Sequence, residues 1–133
     1  DSAKNDLLII PAVVVSGLDR LQSANKPALK PLALSASAPT NGDSVWLAAK
    51  VGDSNTRLHA ATVVQIDGDW MFFEYAASEL DLGGTSGAPV LNAVGEVVGL
   101  NLGGGKMPDG KFVGSANPVT ALRAHLASVV PVE

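Results

Sequence analysis

The chain has 133 residues, the length of one ordinary domain, at which roughly two-thirds of the unfolded surface can be buried without staples. A composition 47% hydrophobic and 17% charged excludes disorder, and a net charge of −4 with few aromatics and no basic run excludes nucleic acid as a partner. Absence of cysteine excludes a disulfide framework and a thiolate metal site, and no apolar run approaches the about 18 residues of a membrane-crossing helix.

The chain opens DSAKND, without methionine and without the basic, apolar and small-residue succession of a signal peptide, as expected of a processed or trimmed N-terminus. Leu7 to Val15 (LLIIPAVVV) predicts a β-branched strand that ends or bends at Pro11. Ser16 to Thr40 is weakly patterned and carries Pro27, Pro31 and Pro39, so it reads as a connector, with one helical turn at Leu18 to Leu21. Asn41-Gly42-Asp43 signals a turn into a strand from Ser44 to Lys50, and Gly52 to Asn55 signals another turn. Leu58 to Ile66 and Trp70 to Tyr75 predict two strands joined by a hairpin at Asp67-Gly68-Asp69. Pro89 to Leu91 and Glu96 to Leu102 flank a second hairpin at Asn92 to Gly95, and Lys111 to Ala116 is a last strand. Asn117 and Pro118 predict the N-cap and first position of a helix whose apolar stripe is Val119, Leu122, Leu126 and Val129. Short strands, close turns and one terminal helix predict an all-β antiparallel barrel with the C-terminal helix laid against it.

Chemistry concentrates in GGTSGAPVLNAVGEVVGL, Gly83 to Leu100. The nucleophile elbow of a hydrolase needs glycine where Ala88 stands and a helix where a strand follows. A phosphate loop around Gly105-Lys106 fails because Leu100 and Met107 occupy two of its required positions. The remaining reading is a serine between glycines, arranged so that backbone N–H groups stabilise a developing oxyanion. Gly84 can take the φ such a turn requires, and Gly87 leaves room for substrate. The plain alternative for Ser86 is a turn residue in a glycine-rich loop. For His59, mid-strand, and His125, on the helix one residue from its apolar stripe, the plain reading is no role in the chemistry. Asp81 reads as a loop charge.

Gly84-Thr85-Ser86-Gly87-Ala88-Pro89-Val90, with Gly95-Glu96-Val97-Val98-Gly99 behind it, resembles the nucleophile segment of trypsin-like (chymotrypsin-fold) serine peptidases, most of all the disulfide-free bacterial branch with the HtrA-type enzymes. Asn5 to Ile10 resembles the family's segment with the triad aspartate, Gly42 to Leu47 the strand opening its second barrel, and Phe112 to Leu126 its closing strand and helix. The resemblance implies an antiparallel six-stranded Greek-key barrel with a C-terminal helix, the first barrel being largely missing. Residues 1–15 are then the last strand of an N-terminal barrel, 16–40 the inter-barrel connector and 41–133 the C-terminal barrel with its helix. An unpartnered strand at Leu7 to Val15 would invite pairing with another chain.

The resemblance further implies Ser86 as nucleophile, Asp6 as the carboxylate that orients the base, and the N–H groups of Gly84 and Ser86 as the oxyanion hole. The family's histidine lies upstream of the aspartate, and no histidine precedes Asp6 here. Thr85 replaces the acidic residue that pairs with a new N-terminus in the zymogen-activated branch, so activation by that route is not expected. Leu80 falls at the base of the primary specificity pocket, while Leu100, Asn101, Leu102 and Gly103, with Gly104, bind the substrate backbone and form a pocket wall. An apolar preference follows. No cofactor and no metal are implied; the partners are a polypeptide substrate and a missing N-terminal segment or second chain. A cysteine-free chain fits a reducing compartment and also an exported or periplasmic bacterial protein, the latter favoured by the resemblance. The expected function is serine endopeptidase. Its alternatives are a catalytically inactive protease-like module that binds peptides by strand addition along Leu100 to Gly104, and a plain structural barrel.

Overall fold

The computed structural model describes residues 32–52, 55–77 and 80–129, the side chains of the last two excepted. Asp6, the strand expected at Leu7 to Val15, the helical turn at Leu18 to Leu21 and the boundary at residue 15 lie outside the described residues.

Among the described residues six strands and one helix follow in order: β1 (Ser44–Ala48), β2 (Leu58–Asp67), β3 (Trp70–Tyr75), β4 (Pro89–Leu91), β5 (Val97–Lys106), β6 (Phe112–Pro118) and α1 (Val119–Val129). The strands form a closed antiparallel barrel in the order β1-β2-β3-β6-β5-β4, and β4 returns to β1 through Trp46 opposite Leu91 and Leu47 opposite Val90. Closure removes the exposed edges that an open sheet would leave.

Period-two alternation decides what lies inside. Val45 and Leu47 of β1, Ala61 and Val63 of β2, and Met71, Phe73 and Tyr75 of β3 turn inward and are buried. A narrow barrel holding Phe73 and Met71 needs opposing residues without bulk. Gly114 and Ala116 of β6 supply them: a Cβ on Gly114 would sit 2.5 Å from Phe73 Cε2. The pairing of β2 with β3 slips between Val63 and Gln65, so Gln65, due inward by strict alternation, stays exposed beside Val64 and Ile66 turns to the core instead.

Turns follow local chemistry. The side chain of Asp43 accepts from the Thr40 amide at 2.9 Å and the Thr40 hydroxyl at 3.0 Å, while Gly42 takes φ 91°. Asn92 Oδ1 accepts from the amides of Val94 and Glu96, and Gly95 takes φ 86°.

Several boundaries move by one or two residues, β1 ending at Ala48 instead of Lys50, and two differences have a clear cause. β5 runs to Lys106 instead of ending at Leu102, because Gly103, Gly104, Gly105 and Lys106 pair with Ser115, Gly114, Val113 and Phe112. Glycine's poor strand preference conceals that extension in the sequence. Asn117 and Pro118, expected to start the helix, close β6 instead: Pro118 pairs with Gly99, and Asn117 Nδ2 donates to the carbonyl of Asp69 at 3.0 Å. Of the helix stripe, Val119 and Leu122 are buried whereas Leu126 is exposed. Leu122 packs with Val97, Leu34, Leu91 and Leu100 in a second, smaller apolar cluster outside the barrel. There the segment before β1 joins the sheet: Leu34 bridges Val97 in parallel, and Arg123 Nη2 of α1 donates to the carbonyls of Leu34 and Ser35 at 3.3 and 2.6 Å.

Candidate active site

The loop from Leu80 to Ala88 joins β3 to β4 and rests on the middle of β5. It is built from two successive hydrogen-bonded turns. The Thr85 amide donates to the Leu82 carbonyl at 3.2 Å, enclosing Gly83 and Gly84, and the Ala88 amide donates to the Thr85 carbonyl at 3.0 Å, enclosing Ser86 and Gly87. In each turn the third residue has positive φ, 79° at Gly84 and 87° at Gly87. That is the requirement of a type II turn, which glycine meets without a Cβ penalty. Nothing lies within 4 Å of a Cβ built on either residue, so backbone conformation, not crowding, selects glycine at both.

The turns are fixed from below by β5. The Gly87 amide donates to the Asn101 carbonyl at 2.7 Å, and the Asn101 amide donates to the Ala88 carbonyl at 2.8 Å. Asn101 Nδ2 donates both to the Thr85 carbonyl at 3.2 Å and to Thr85 Oγ1 at 3.1 Å. Thr85 Oγ1 in turn donates to the Leu82 carbonyl at 2.7 Å. Because a carbonyl only accepts and the threonine proton is already committed to Leu82, the amide nitrogen of Asn101 must face Thr85. Thr85 and Asn101 are 2% and 1% exposed.

Above this network Ser86 is exposed. Neither its hydroxyl nor the amides of Gly84 and Ser86 hydrogen-bond to any group among the described residues. The loop therefore presents a hydroxyl and two unused donors to solvent.

The other expected site residues take varied places. Leu80 is half-buried against the barrel core; it lines one cleft of about 360 Å³ with Asp81, Lys106 and Phe112, and another of about 340 Å³ that also includes His59. Leu100 packs against Val97 and Leu122, on the helix side of β5. Leu102 is the extra residue where the β5–β6 register shifts between Asn101 and Gly103, and it is half-buried, as is Gly103. Asp81 accepts from the Gly83 amide at 3.2 Å, a local loop contact as its plain reading supposes. Neither histidine hydrogen-bonds to Ser86: His59 is buried on the inner face of β2, with Nε2 at 3.2 Å from the Ala49 carbonyl, and His125 lies on α1. Sequence reading missed Leu82, whose carbonyl anchors Thr85 twice, and the inward duty of the Asn101 side chain. The available signal was one amide inside an otherwise apolar strand, VVGLNL.

Comparison with known proteins gives three results of different kind. The family model described as trypsin-like peptidase domain matches residues 3–100. No curated protein matches the chain. Among solved structures, the inactive form of a serine-to-alanine mutant of Rv3671c from M. tuberculosis H37Rv superposes with a TM-score of 0.56 at 21% identity, covering 79% of this chain and 57% of that one. The active form of the Rv3671c protease gives a TM-score of 0.56 at 18% identity, over 79% and 50% of the two chains. A chymotrypsin from Cellulomonas bogoriensis gives 0.48 at 18% identity, over 77% and 56%. At such identities the likeness is one of fold. The chain spans about half the length of these proteins, at 57%, 50% and 56%.

Proposed function

The chain belongs to the trypsin-like peptidase family, and from that premise we propose that it is the serine-bearing part of a serine endopeptidase, with Ser86 as nucleophile. The observation that carries the reading is the pair of type II turns that leaves the Gly84 and Ser86 N–H groups unused beside an exposed hydroxyl. In this mechanism Ser86 Oγ attacks a peptide carbonyl carbon and gives its proton to a general base. The carbonyl oxygen becomes negative and is held by the N–H groups of Gly84 and Ser86. The C–N bond then breaks, the protonated base returns its proton to the leaving amine, and water hydrolyses the acyl-enzyme by the reverse proton traffic.

The base is a histidine outside this chain, oriented by Asp6 and supplied by a preceding segment or a second chain. Its absence here accords with a chain that spans about half of the proteases it superposes on. The substrate is a polypeptide lying along the Leu102 to Gly104 part of the expected Leu100 to Gly104 strand, since Leu100 is already paired with β4 and Asn101 with the serine loop, with an apolar side chain directed to the cleft at Leu80 and Phe112.

Treating the natural protein with a fluorophosphonate and locating the adduct by mass spectrometry tests the assignment. One adduct is expected, on Ser86, and it disappears in Ser86→Ala while the circular dichroism of the barrel is unchanged. No adduct, or an adduct elsewhere, overturns it. A second reading, a peptide-binding module that does not cleave, is favoured by the lack of contact between either histidine and Ser86. It predicts peptide binding without hydrolysis or labelling.

A further inference from the structure

Asn101 sits beneath the serine turn, and its side chain reaches the peptide group whose N–H serves the reaction proposed above. The Thr85 carbonyl and the Ser86 N–H belong to one peptide unit. Among the described residues no peptide bond is cis, so in this planar trans unit the two groups point in opposite directions. The Thr85 carbonyl is drawn inward by two donors, Asn101 Nδ2 at 3.2 Å and the Ala88 amide at 3.0 Å. The Ser86 N–H is therefore turned outward, toward the solvent that the Ser86 side chain faces. Rotating this peptide by half a turn would withdraw the N–H from substrate and leave Asn101 Nδ2 facing a donor.

We infer that Asn101 is a positioning residue that locks the Thr85–Ser86 peptide with its N–H facing substrate, and that Thr85 Oγ1 completes the lock by accepting from Asn101 and donating to the Leu82 carbonyl. The inference rests on the reading of Ser86 as nucleophile only for its catalytic consequence; the orientation itself follows from the hydrogen bonds. The lock uses no charged group and no chain terminus. Both partners lie within one continuous stretch, Leu82 to Asn101, so the turn is set as soon as the barrel closes. Asn101 thus acts on substrate through a peptide plane, not through its own side chain as its place on the expected pocket wall implies.

The test uses Asn101→Asp, which keeps the shape but places a carboxylate where the Thr85 carbonyl needs a donor, together with Thr85→Val and Thr85→Ser. In the natural protein Asn101→Asp lowers kcat by about 10- to 100-fold, less than or comparable to removing an oxyanion donor outright. KM stays within about threefold, and affinity for a peptidyl boronate falls with kcat, because only the transition state uses this N–H. Thr85→Val lowers kcat by a smaller factor and Thr85→Ser restores it, which keeps the question answerable if Asn101→Asp does not fold. Independently of activity, the residual dipolar coupling of the Ser86 N–H measured on the isotope-labelled protein changes in Thr85→Val or Asn101→Asp and returns in Thr85→Ser. An unchanged Ser86 coupling in folded variants of both positions overturns the inference. If the wild-type protein neither hydrolyses peptides nor labels, the endopeptidase reading fails while the dipolar coupling still decides the lock.

Discussion

Thr85 Oγ1 and Asn101 Nδ2 are removed from solvent and bonded to each other, while Asn101 Oδ1 has no hydrogen-bond partner among the described residues. Tyr75 keeps no such bond at all. It is 4% exposed, packs edge-on to Phe73 and Phe112, and its hydroxyl has no hydrogen-bond partner among the described residues. Burial pushes its ionisation well above the usual tyrosine value. Below about pH 10 the phenol is neutral in both folded and unfolded chains and contributes no pH dependence. Above it the unfolded chain loses the proton and the folded chain keeps it, so stability falls by up to about 1.4 kcal/mol per pH unit. Tyr75→Phe abolishes that fall, and near neutrality it is neutral or stabilising, since it removes a buried hydroxyl that bonds to nothing. Urea unfolding of both proteins between about pH 8 and about pH 11 should show the curves diverging above about pH 10. Parallel curves would mean that the phenol ionises in the folded barrel.

Among the elements, β6 shows why some glycines are fixed by space and others by conformation. Gly84 and Gly87 have open surroundings and positive φ, whereas Gly114 is buried against rings. A Cβ at residue 114 would lie 2.5 and 2.8 Å from Phe73 Cε2 and Cζ, and 3.0 Å from Tyr75 Cε2. Gly114→Ala is expected to lose about 1–3 kcal/mol by overpacking. Combining it with Phe73→Leu should cost less than the sum of the two single losses, because the smaller residue vacates the space. Additive losses in urea titrations would show that residue 114 is sensitive for a reason other than Phe73. The elements themselves were largely legible: Trp70–Tyr75 and Pro89–Leu91 have the bounds expected from the sequence, since turn residues bracket each closely. The second half of β5 was not legible. Three consecutive glycines carry no strand signal of their own, and only pairing with β6 makes them a strand.

For the molecule as a whole, one tie connects the described segment before β1 to the far end of the chain. Ser35 donates to the Val97 carbonyl at 2.9 Å, Val97 donates to the Ala33 carbonyl at 2.8 Å, and Arg123 caps the free carbonyls from α1. The barrel closes without this strap. Arg123→Ala should therefore speed hydrogen exchange at the Ser35 and Val97 amides by about tenfold, equivalent to about 1.4 kcal/mol of local opening. Exchange at Val63, whose amide is bonded to the Asp43 carbonyl inside the barrel, should be unchanged. Equal acceleration at all three would make the strap part of the cooperative core.

What the sequence by itself determined is the part set by local rules. Glycine at 84 was marked for a turn, short strands between close turn signals for an antiparallel barrel, and GTSGAP for a serine on that turn. Tertiary structure decided what depends on neighbours distant in the chain. It set the phase change at Val64, the pairing of glycines with β6 and the burial of Asn101 under a turn 16 residues away. The reason is physical: φ preference and period belong to a residue and its immediate neighbours, whereas register, and the direction in which a carbonyl is pulled, exist only once two strands are side by side.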